Sequence, residues 1–243
     1  MMSEVLPYHD LPDGKRKQVE QMFNNIAHRY DFLNHFLSMG IDKRWRKKVI
    51  SELKKKQPAN ILDVATGTGD LAFASAKQLN AEVTGVDIAA NMLSIAEEKK
   101  KKSLQAGKIK FLQADALSLP FTDGSFDACT IAFGVRNFEN IEAGLKEINR
   151  VLKKNGVIAV LEFSTPPQFP VKQFYLFYFR YVLPAIGRFF SRDKRAYQYL
   201  PESVYAFPSP ENFCGILHSC GFTKTWHRYL TFGIASLYTA HKN

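Results

Sequence analysis

Three aspartates stand near the ends of three short apolar runs. Asp63 lies in Asn60-Ile61-Leu62-Asp63-Val64-Ala65, Asp87 closes the run from Ala81, and Asp115 follows Lys108 to Leu112 within Gln113-Ala114-Asp115-Ala116. After the first run comes Thr66-Gly67-Thr68-Gly69, which gives the order D-x-x-x-G-x-G. Glycines let a backbone approach a ligand closely, and the helix that follows would present free N–H groups. Gly67, Gly69 and Ala72 also satisfy a loose G-x-G-x-x-A, which a dinucleotide would use and which an ordinary tight strand-to-helix turn shares. Asp87 comes 18 residues after Gly69, the place for a carboxylate that accepts from both hydroxyls of a ribose. Asp115 can accept from the exocyclic amino group of an adenine. Three carboxylates serve a pyrophosphate poorly and a cationic adenosine ligand well. S-adenosylmethionine, with its ribose, adenine, ammonium and sulfonium, is such a ligand.

These residues need a frame. Apolar runs at 60–65, 81–87, 108–112, 126–133 and 157–163 read as strands, and 70–76, 91–102 and 141–152 as helices between them. Strands alternating with helices at this period suit right-handed βαβ units and a parallel sheet. Ahead of them, residues 15–56 read as helices, with Val19, Met22, Phe23, Ile26 and Ala27, then Tyr30, Leu33, Phe36 and Leu37, at helical spacing. Residues 165–200 are aromatic, broken by Pro166, Pro167, Pro170 and Pro184, and look helical without continuing the strand pattern. The tail from Phe222 to His241 reads as two more strands around Thr231–Gly233.

Composition narrows the class. Of 243 residues 46% are hydrophobic, so a full core is available. No clean apolar stretch of spanning length occurs, and the start lacks the pattern of a signal peptide. Cys129, Cys214 and Cys220 are too scattered for a disulfide framework or a metal site, so a reduced cytoplasmic setting is expected and no metal. The net charge of +10 suits an anionic ligand, a nucleic acid or a membrane surface. The basic run Lys43-Arg44-Trp45-Arg46-Lys47-Lys48 and then Lys54-Lys55-Lys56 read as a solvated helix face.

Longer motifs add a resemblance. The glycine loop and its aspartates resemble the class I methyltransferases that use S-adenosylmethionine. Tyr30-Asp31-Phe32-Leu33-Asn34 through Ser38-Met39-Gly40 to Trp45 resembles the Y-D-x-M-N stretch of the C-methyltransferases of ubiquinone and menaquinone biosynthesis. Phe133-Gly134-Val135-Arg136-Asn137 is similar to that family's F-G-[LIV]-R-N. Arg150-Val151-Leu152-Lys153 with Leu161-Glu162-Phe163-Ser164, and Tyr197-Gln198-Tyr199-Leu200 with Glu202-Ser203, complete the match, from about residue 18 to 242. The chain departs from the pattern at Leu33 for Met, Asp42 for His, Lys154-Asn155 for Pro-Gly, and Ala132 for a Ser.

The resemblance implies an α/β, Rossmann-like class I methyltransferase fold: a seven-stranded mixed sheet with helices on both faces. Residues 1–56 would form an N-terminal helical cap, and 57–243 the methyltransferase domain with an aromatic lid inserted at 165–205. The expected cofactor contacts are Asp63, Gly67, Thr68, Gly69, Asp87, Ile88, Met92, Asp115, Ala116 and Ala132. The implied reaction is C-methylation of a polyprenyl quinol, demethylmenaquinol first and a ubiquinone-type benzoquinol as the alternative. Such chemistry needs an aligned methyl donor, a base for a hydroxyl proton and a base for the ring proton. Tyr30, Asp31, Arg136 and Asn137 are the expected catalytic residues, with His28, His35 and Asp42 as further candidate bases. Each has a plainer reading: Tyr30 as a core aromatic, Asp31 and Arg136 as ion-pair partners, the histidines as surface groups, and Glu162 as either site or structural partner.

Phe174 to Pro184 reads either as a helical cap over the sheet or as a lid for the polyprenyl tail. Arg180, Arg188, Arg192, Lys194 and Arg195 nearby would meet anionic headgroups in peripheral contact with the inner face of a membrane. A homodimer stays open. Against an RNA methyltransferase stands the lack of an RNA-binding module or stacking platform, so no nucleic-acid partner is expected. A non-enzymatic binding subunit is the remaining rival.

Overall fold

The computed structural model describes residues 5–8, 10–38, 40–182 and 194–243, with residues 29, 32–37, 194 and 197 described by backbone alone. Helices α1 (Lys15–Leu37) and α2 (Ile41–Lys54) come first. Then follow β1 (Asn60–Val64), α3 (Asp70–Leu79), β2 (Glu82–Asp87), α4 (Ala90–Lys101), β3 (Ile109–Gln113), β4 (Phe126–Ala132), α5 (Ile141–Val151) and β5 (Leu152–Phe163). Helix α6 (Val171–Phe177) passes into a π-helical turn, Tyr178–Val182. Helices α7 (Lys194–Ala206) and α8 (Pro210–Ser219) and strands β6 (Phe222–Leu230) and β7 (Ala235–Lys242) complete the order.

The strands form one sheet in the order β3-β2-β1-β4-β5-β7-β6. The first five pair in parallel, and β7 runs antiparallel to both β5 and β6. This is the expected seven-stranded mixed sheet. Central parallel strands covered on both faces read as continuous apolar runs, and side chains alternate between two cores. Leu62, Val64, Cys129, Ile131, Ile158 and Val160 pack with α5 and α8. Ile61, Ala128, Val157, Ala159 and Leu161 pack with α2 and α3 through Trp45, Val49, Leu53 and Leu71. So α2 belongs to the helical layer of the sheet, while α1 lies over the strand ends against α4.

Two elements differ from the sequence reading. Strand β5 begins at Leu152 rather than Val157, because Leu152 pairs with Phe126 and Lys153 forms an ion pair with Asp127 at 2.7 Å across the ladder. Helix α8 has no counterpart in that reading. Ser209 caps it, its Oγ accepting from Asn212 N at 3.4 Å, and Pro210 occupies the first turn, where a missing N–H costs nothing.

Candidate active site

The strand order reverses between β1 and β4, and a sheet of this kind opens a crevice beyond the carboxyl ends of its strands at such a point. The residues just past those two ends, Ala65 and Phe133, take φ values of 53° and 60°. That left-handed backbone is unfavourable for residues with a side chain and marks a local strain of the sort found at functional sites. Gly134 makes the crossing feasible: a Cβ there would stand 2.4 Å from the Ala65 Cβ.

Three adjoining cavities lie above this crossing, and Tyr30 and Phe133 line all three. The first is walled by Gly67, Asp87, Ile88, Met92, Asp115 and Ala116, with Ala132 in its floor. Asp87 is nearly buried and anchors the loop, its Oδ2 accepting from Gly67 N at 2.8 Å and its Oδ1 from Ala89 N at 2.9 Å. Burial pushes its carboxyl above the usual range, opposed by the N–H groups of Ala89, Gly67 and Ile88. The carboxylate keeps acceptor capacity beyond these N–H groups for a diol. Asp115 accepts from Leu117 N at 2.9 Å and meets Arg16 of α1, Nε to Oδ2 at 2.5 Å. Helix α1 thus covers the first cavity with Arg16, Val19 and Phe23.

A smaller cavity continues from Gly67 toward Asp63, Thr66 and Thr68. Asp63 accepts from Thr66 Oγ1 at 2.6 Å and Thr130 Oγ1 at 2.5 Å. Burial pushes its carboxyl up to about 6, against the two threonine hydrogen bonds and the Arg46 charge. Gly69 lies in none of these three walls. It caps α3 at φ 83°, and a Cβ there would come 2.7 Å from the Phe111 ring, so its place is conformational.

The remaining cavity is walled by Phe133, Arg136, Phe163, Tyr199 and Leu200, with Asp42 and Arg46 from α2. Arg136 is 9% exposed. Its Nη1 donates to Glu162 Oε1 at 2.7 Å and Phe133 O at 2.6 Å, and its Nε to Ser203 Oγ at 3.3 Å. Glu162, fully buried, is pushed above the usual carboxylate range by burial and held back by Arg136. So Glu162 is the structural partner of Arg136. Asn137 accepts from the Tyr199 hydroxyl at 3.1 Å and lines the first cavity.

Asp31 stands apart from all three walls. It accepts from Thr68 Oγ1 at 2.5 Å and pairs with Lys99 at 2.9 Å, so it ties α1 to the glycine loop and α4. His28 is exposed. The side chains of His35 and Lys194 lie outside the described residues, as do Arg188 and Arg192 entirely.

The model of the ubiE/COQ5 methyltransferase family matches residues 12–242. Demethylmenaquinone methyltransferase of Bacteroides fragilis is 47% identical over 241 residues, covering 98% of each chain. The chain belongs to the ubiE/COQ5 methyltransferase family. A second relative, the ubiquinone/menaquinone biosynthesis C-methyltransferase UbiE of Geobacter sulfurreducens, is 45% identical over 94% of this chain and 90% of its own. Among solved structures, a SAM-dependent methyltransferase of Thermotoga maritima aligns with a TM-score of 0.66 at 18% identity, over 92% of this chain and 99% of that one. At that identity the likeness is one of fold. The cyclase SpnF aligns with a TM-score of 0.67 at 16% identity, over 94% and 96%.

The cofactor of this methyltransferase family fits the site. Asp87 keeps acceptor capacity beside a loop that carries no side chain at Gly67, and Ile88, Met92 and Ala116 give the same cavity apolar walls. Sequence reasoning missed Arg16 and Arg46. Both fall on the apolar stripes of their helices, Arg16 before Val19, Met22 and Phe23, and Arg46 among Trp45, Val49, Ile50 and Leu53. A charge on a buried stripe was the available signal.

Proposed function

We propose that this chain methylates a ring carbon of a polyprenyl quinol, demethylmenaquinol first, with S-adenosylmethionine as donor. The observation that carries the reading is the aromatic cavity of Phe133, Phe163, Tyr199 and Leu200, which meets the proposed cofactor cavity at Tyr30. The relative from Bacteroides fragilis supports the naphthoquinol ring. The relatives named for both ubiquinone and menaquinone biosynthesis support a benzoquinol as the second substrate to test.

Bound S-adenosylmethionine supplies a methyl group already activated by its sulfonium. The chain's residues must exclude water, align the ring, take the proton of a quinol hydroxyl, take the ring-carbon proton once the new C–C bond has formed and the C–S bond has broken, and return one proton to the oxygen, so that one proton is released net. Arg136 has spent its Nη1 and Nε on protein partners, which leaves Nη2 to hold the developing quinolate oxygen. Glu162 and Ser203 fix that guanidinium. Tyr30, at the meeting of the cavities, faces the reacting carbon and relays the proton. Asn137 holds Tyr199 against the ring, and Asp31 positions the glycine loop through Thr68 rather than moving a proton.

Lipid contact is part of this proposal. Helix α6 and its π turn bury Tyr175 and Phe179, with Phe179 6.5 Å from the Phe163 ring in the cavity wall. The opposite face shows Phe174, Phe177 and Tyr181 to solvent, with Lys172 and Arg180 beside them and Phe169 80% exposed. Aromatics at this spacing with basic neighbours suit an interfacial helix. No helix among the described residues is long and apolar enough to cross a membrane.

The test is turnover on short-tailed demethylmenaquinol and on a short-tailed benzoquinol in detergent, read by mass. The expected result is a product one CH2 heavier from the naphthoquinol. If both quinols return unchanged while cofactor binds, the substrate assignment is wrong. Cosedimentation with anionic vesicles that Phe174→Ser with Phe177→Ser leaves undiminished would overturn the lipid face.

A further inference from the structure

The aromatic cavity proposed for the quinol ring holds one side chain that its apolar walls do not call for. Asp42 lies in the first turn of α2, 3% exposed, in the wall formed by Phe23, Ile26, Phe133 and Phe163. A carboxylate in such a place is costly unless it is partnered. Ser38 Oγ donates to its Oδ1 at 2.7 Å, Arg46 Nη1 donates to its Oδ2, and the helix N-terminus favours its charge. Trp45, one turn on, sets α2 in place. Its ring stands 6.0 Å from Phe133 and 6.2 Å from Phe163, and its Nε1 donates to Thr231 Oγ1 at 2.8 Å. The carboxylate is therefore fixed at the cavity by its own partners and by the packing of its helix.

The other polar groups of this wall differ from it. Arg46 and Arg136 only donate, and Arg46 is engaged with Asp42 and Asp70. Tyr199 gives its hydroxyl proton to Asn137 at 3.1 Å. Asp42 is the one carboxylate among the described residues of the wall. As the anion of an ion pair it only accepts, and a carboxylate has about four acceptor sites, so a ligand O–H can join Ser38 and Arg46 there.

We infer that Asp42 reads the oxidation state of the ring, accepting from a hydroxyl of the quinol and opposing the carbonyl oxygen of the quinone. The inference rests on the quinol reading above and deepens it. A quinol and its quinone have nearly the same shape and apolar surface, so aromatic walls treat them alike. They differ at the oxygens: one ring carries O–H donors, the other acceptors alone. Arg136 does not separate them, since its Nη2 can donate to a quinolate, a hydroxyl or a carbonyl oxygen. Asp42 does. A hydroxyl makes a charge-assisted bond with it, whereas a carbonyl sets two acceptors face to face in a site with little water. Arg136 takes the oxygen that gains charge, and Asp42 takes the other hydroxyl. Only the reduced ring has the electron density to attack the methyl group, so Asp42 keeps the unreactive form from occupying the site.

The experiment is anaerobic calorimetry in detergent, with S-adenosylhomocysteine in place of the donor so that no turnover occurs. The ligands are a short-tailed demethylmenaquinol kept reduced and the matching quinone. The wild-type chain should prefer the quinol by about tenfold to a hundredfold, the range of one charge-assisted hydrogen bond gained against one acceptor pair opposed. Asp42→Asn can donate to a carbonyl and should bind the two forms within about threefold of each other. That variant leaves Arg46 without its anion, so Asp42→Asn with Arg46→Gln is measured beside it. No charge of the pair is left buried and unpaired there, and the preference should be lost in the same way. Asp42→Glu restores an anion and should recover part of the preference. A wild-type chain indifferent to oxidation state overturns the inference, and so does a folded Asn variant, single or double, that keeps the wild-type preference. Turnover is read separately. A chain that methylates the quinol yet binds the quinone equally well refutes only the role of Asp42, whereas one that binds neither form and leaves the quinol unmethylated refutes the quinol reading itself.

Discussion

Asp87→Asn tests the ribose assignment at the level of single hydrogen bonds. The carboxylate already accepts from Gly67 N at Oδ2 and Ala89 N at Oδ1, at 2.8 and 2.9 Å. An amide keeps one of these and turns its NH2 toward the other N–H, two donors facing each other. Alone, that costs about 1–3 kcal/mol. Against it stands the buried charge: Asp87 is held above the usual carboxylate range by burial, so a neutral side chain recovers part of the loss. Stability should therefore change little. Affinity should not be spared, because two charge-assisted bonds to the diol become at most one neutral bond. At about 1.5 kcal/mol per lost bond the change is about 2–3 kcal/mol, or about 30- to 150-fold in Kd. The assay is calorimetric titration with S-adenosylhomocysteine and with its 2′,3′-dideoxy analogue, beside a melting curve. Wild type should lose affinity when the diol is removed, and the Asn chain should be indifferent to it. If the Asn chain loses equal affinity for both ligands, Asp87 acts only through the loop and the ribose contact is wrong.

Three further outcomes are expected. Arg16→Ala breaks a half-exposed pair with Asp115, so stability should shift by under about 1 kcal/mol while S-adenosylhomocysteine dissociates faster in stopped flow; an unchanged off-rate counts against α1 as cover. Asp63, with its carboxyl pushed up to about 6 by burial, destabilises the fold as pH climbs from about 4 to 6, so the melting temperature of the wild type should fall relative to that of Asp63→Asn across that range, and parallel curves would show that Asp63 does not titrate there. Glu162→Gln leaves the Arg136 charge buried and unpaired, so the melting temperature should drop by an amount equivalent to about 3 kcal/mol or more, with turnover falling further than cofactor affinity; a variant that melts with the wild type would show the pair to be dispensable.

The sheet was legible because its strands are covered on both faces and so stay apolar from end to end, as in Ile61 to Val64 and Ile158 to Leu161. The glycine loop and Asp87 were legible for a related reason: a backbone that must approach a ligand leaves glycine in the sequence. What was hidden depends on partners far along the chain. Nothing near Arg136 announces that Glu162, 26 residues on, will take its Nη1. Nothing in Tyr30-Asp31 says that the tyrosine will face the cavities while its neighbour turns to Thr68 and Lys99. The start of β5 was missed because the apolar run begins only at Val157, after the polar Lys153, Lys154 and Asn155, although a cross-strand aspartate neutralises the first of these. The basic run at Lys43–Lys48 read as a solvated face, and for Lys43, Arg44, Lys47 and Lys48 that holds. Arg46 is the exception, because helical periodicity puts it a turn from both Asp42 and Ile50.

Helix α1 shows how one element can serve both dryness and exchange. Its apolar contacts with α4 are few: Phe23, Ile26, Ala27 and Tyr30 against Ala89, Met92 and Ile95. Around them sit polar ties, with Lys15 donating to the carbonyls of Arg136 and Phe138, Arg16 on Asp115, Asn24 joined to Asn91, and Asp31 on Lys99. Bonds of this sort exchange readily with water and contribute little net stability when partly exposed. A cover sealed by a large apolar face would exclude water equally well, but would hold a spent cofactor for as long as the fold lasts. On its α4 side a small apolar centre ringed by exchangeable polar contacts lets that edge open and close at low cost, while Val19 and Met22 keep α1 packed against Tyr175, Phe179, Ala196 and Tyr199. Two ligands of opposite character, one charged and water-soluble and one carrying a lipid tail, require a cover of that kind.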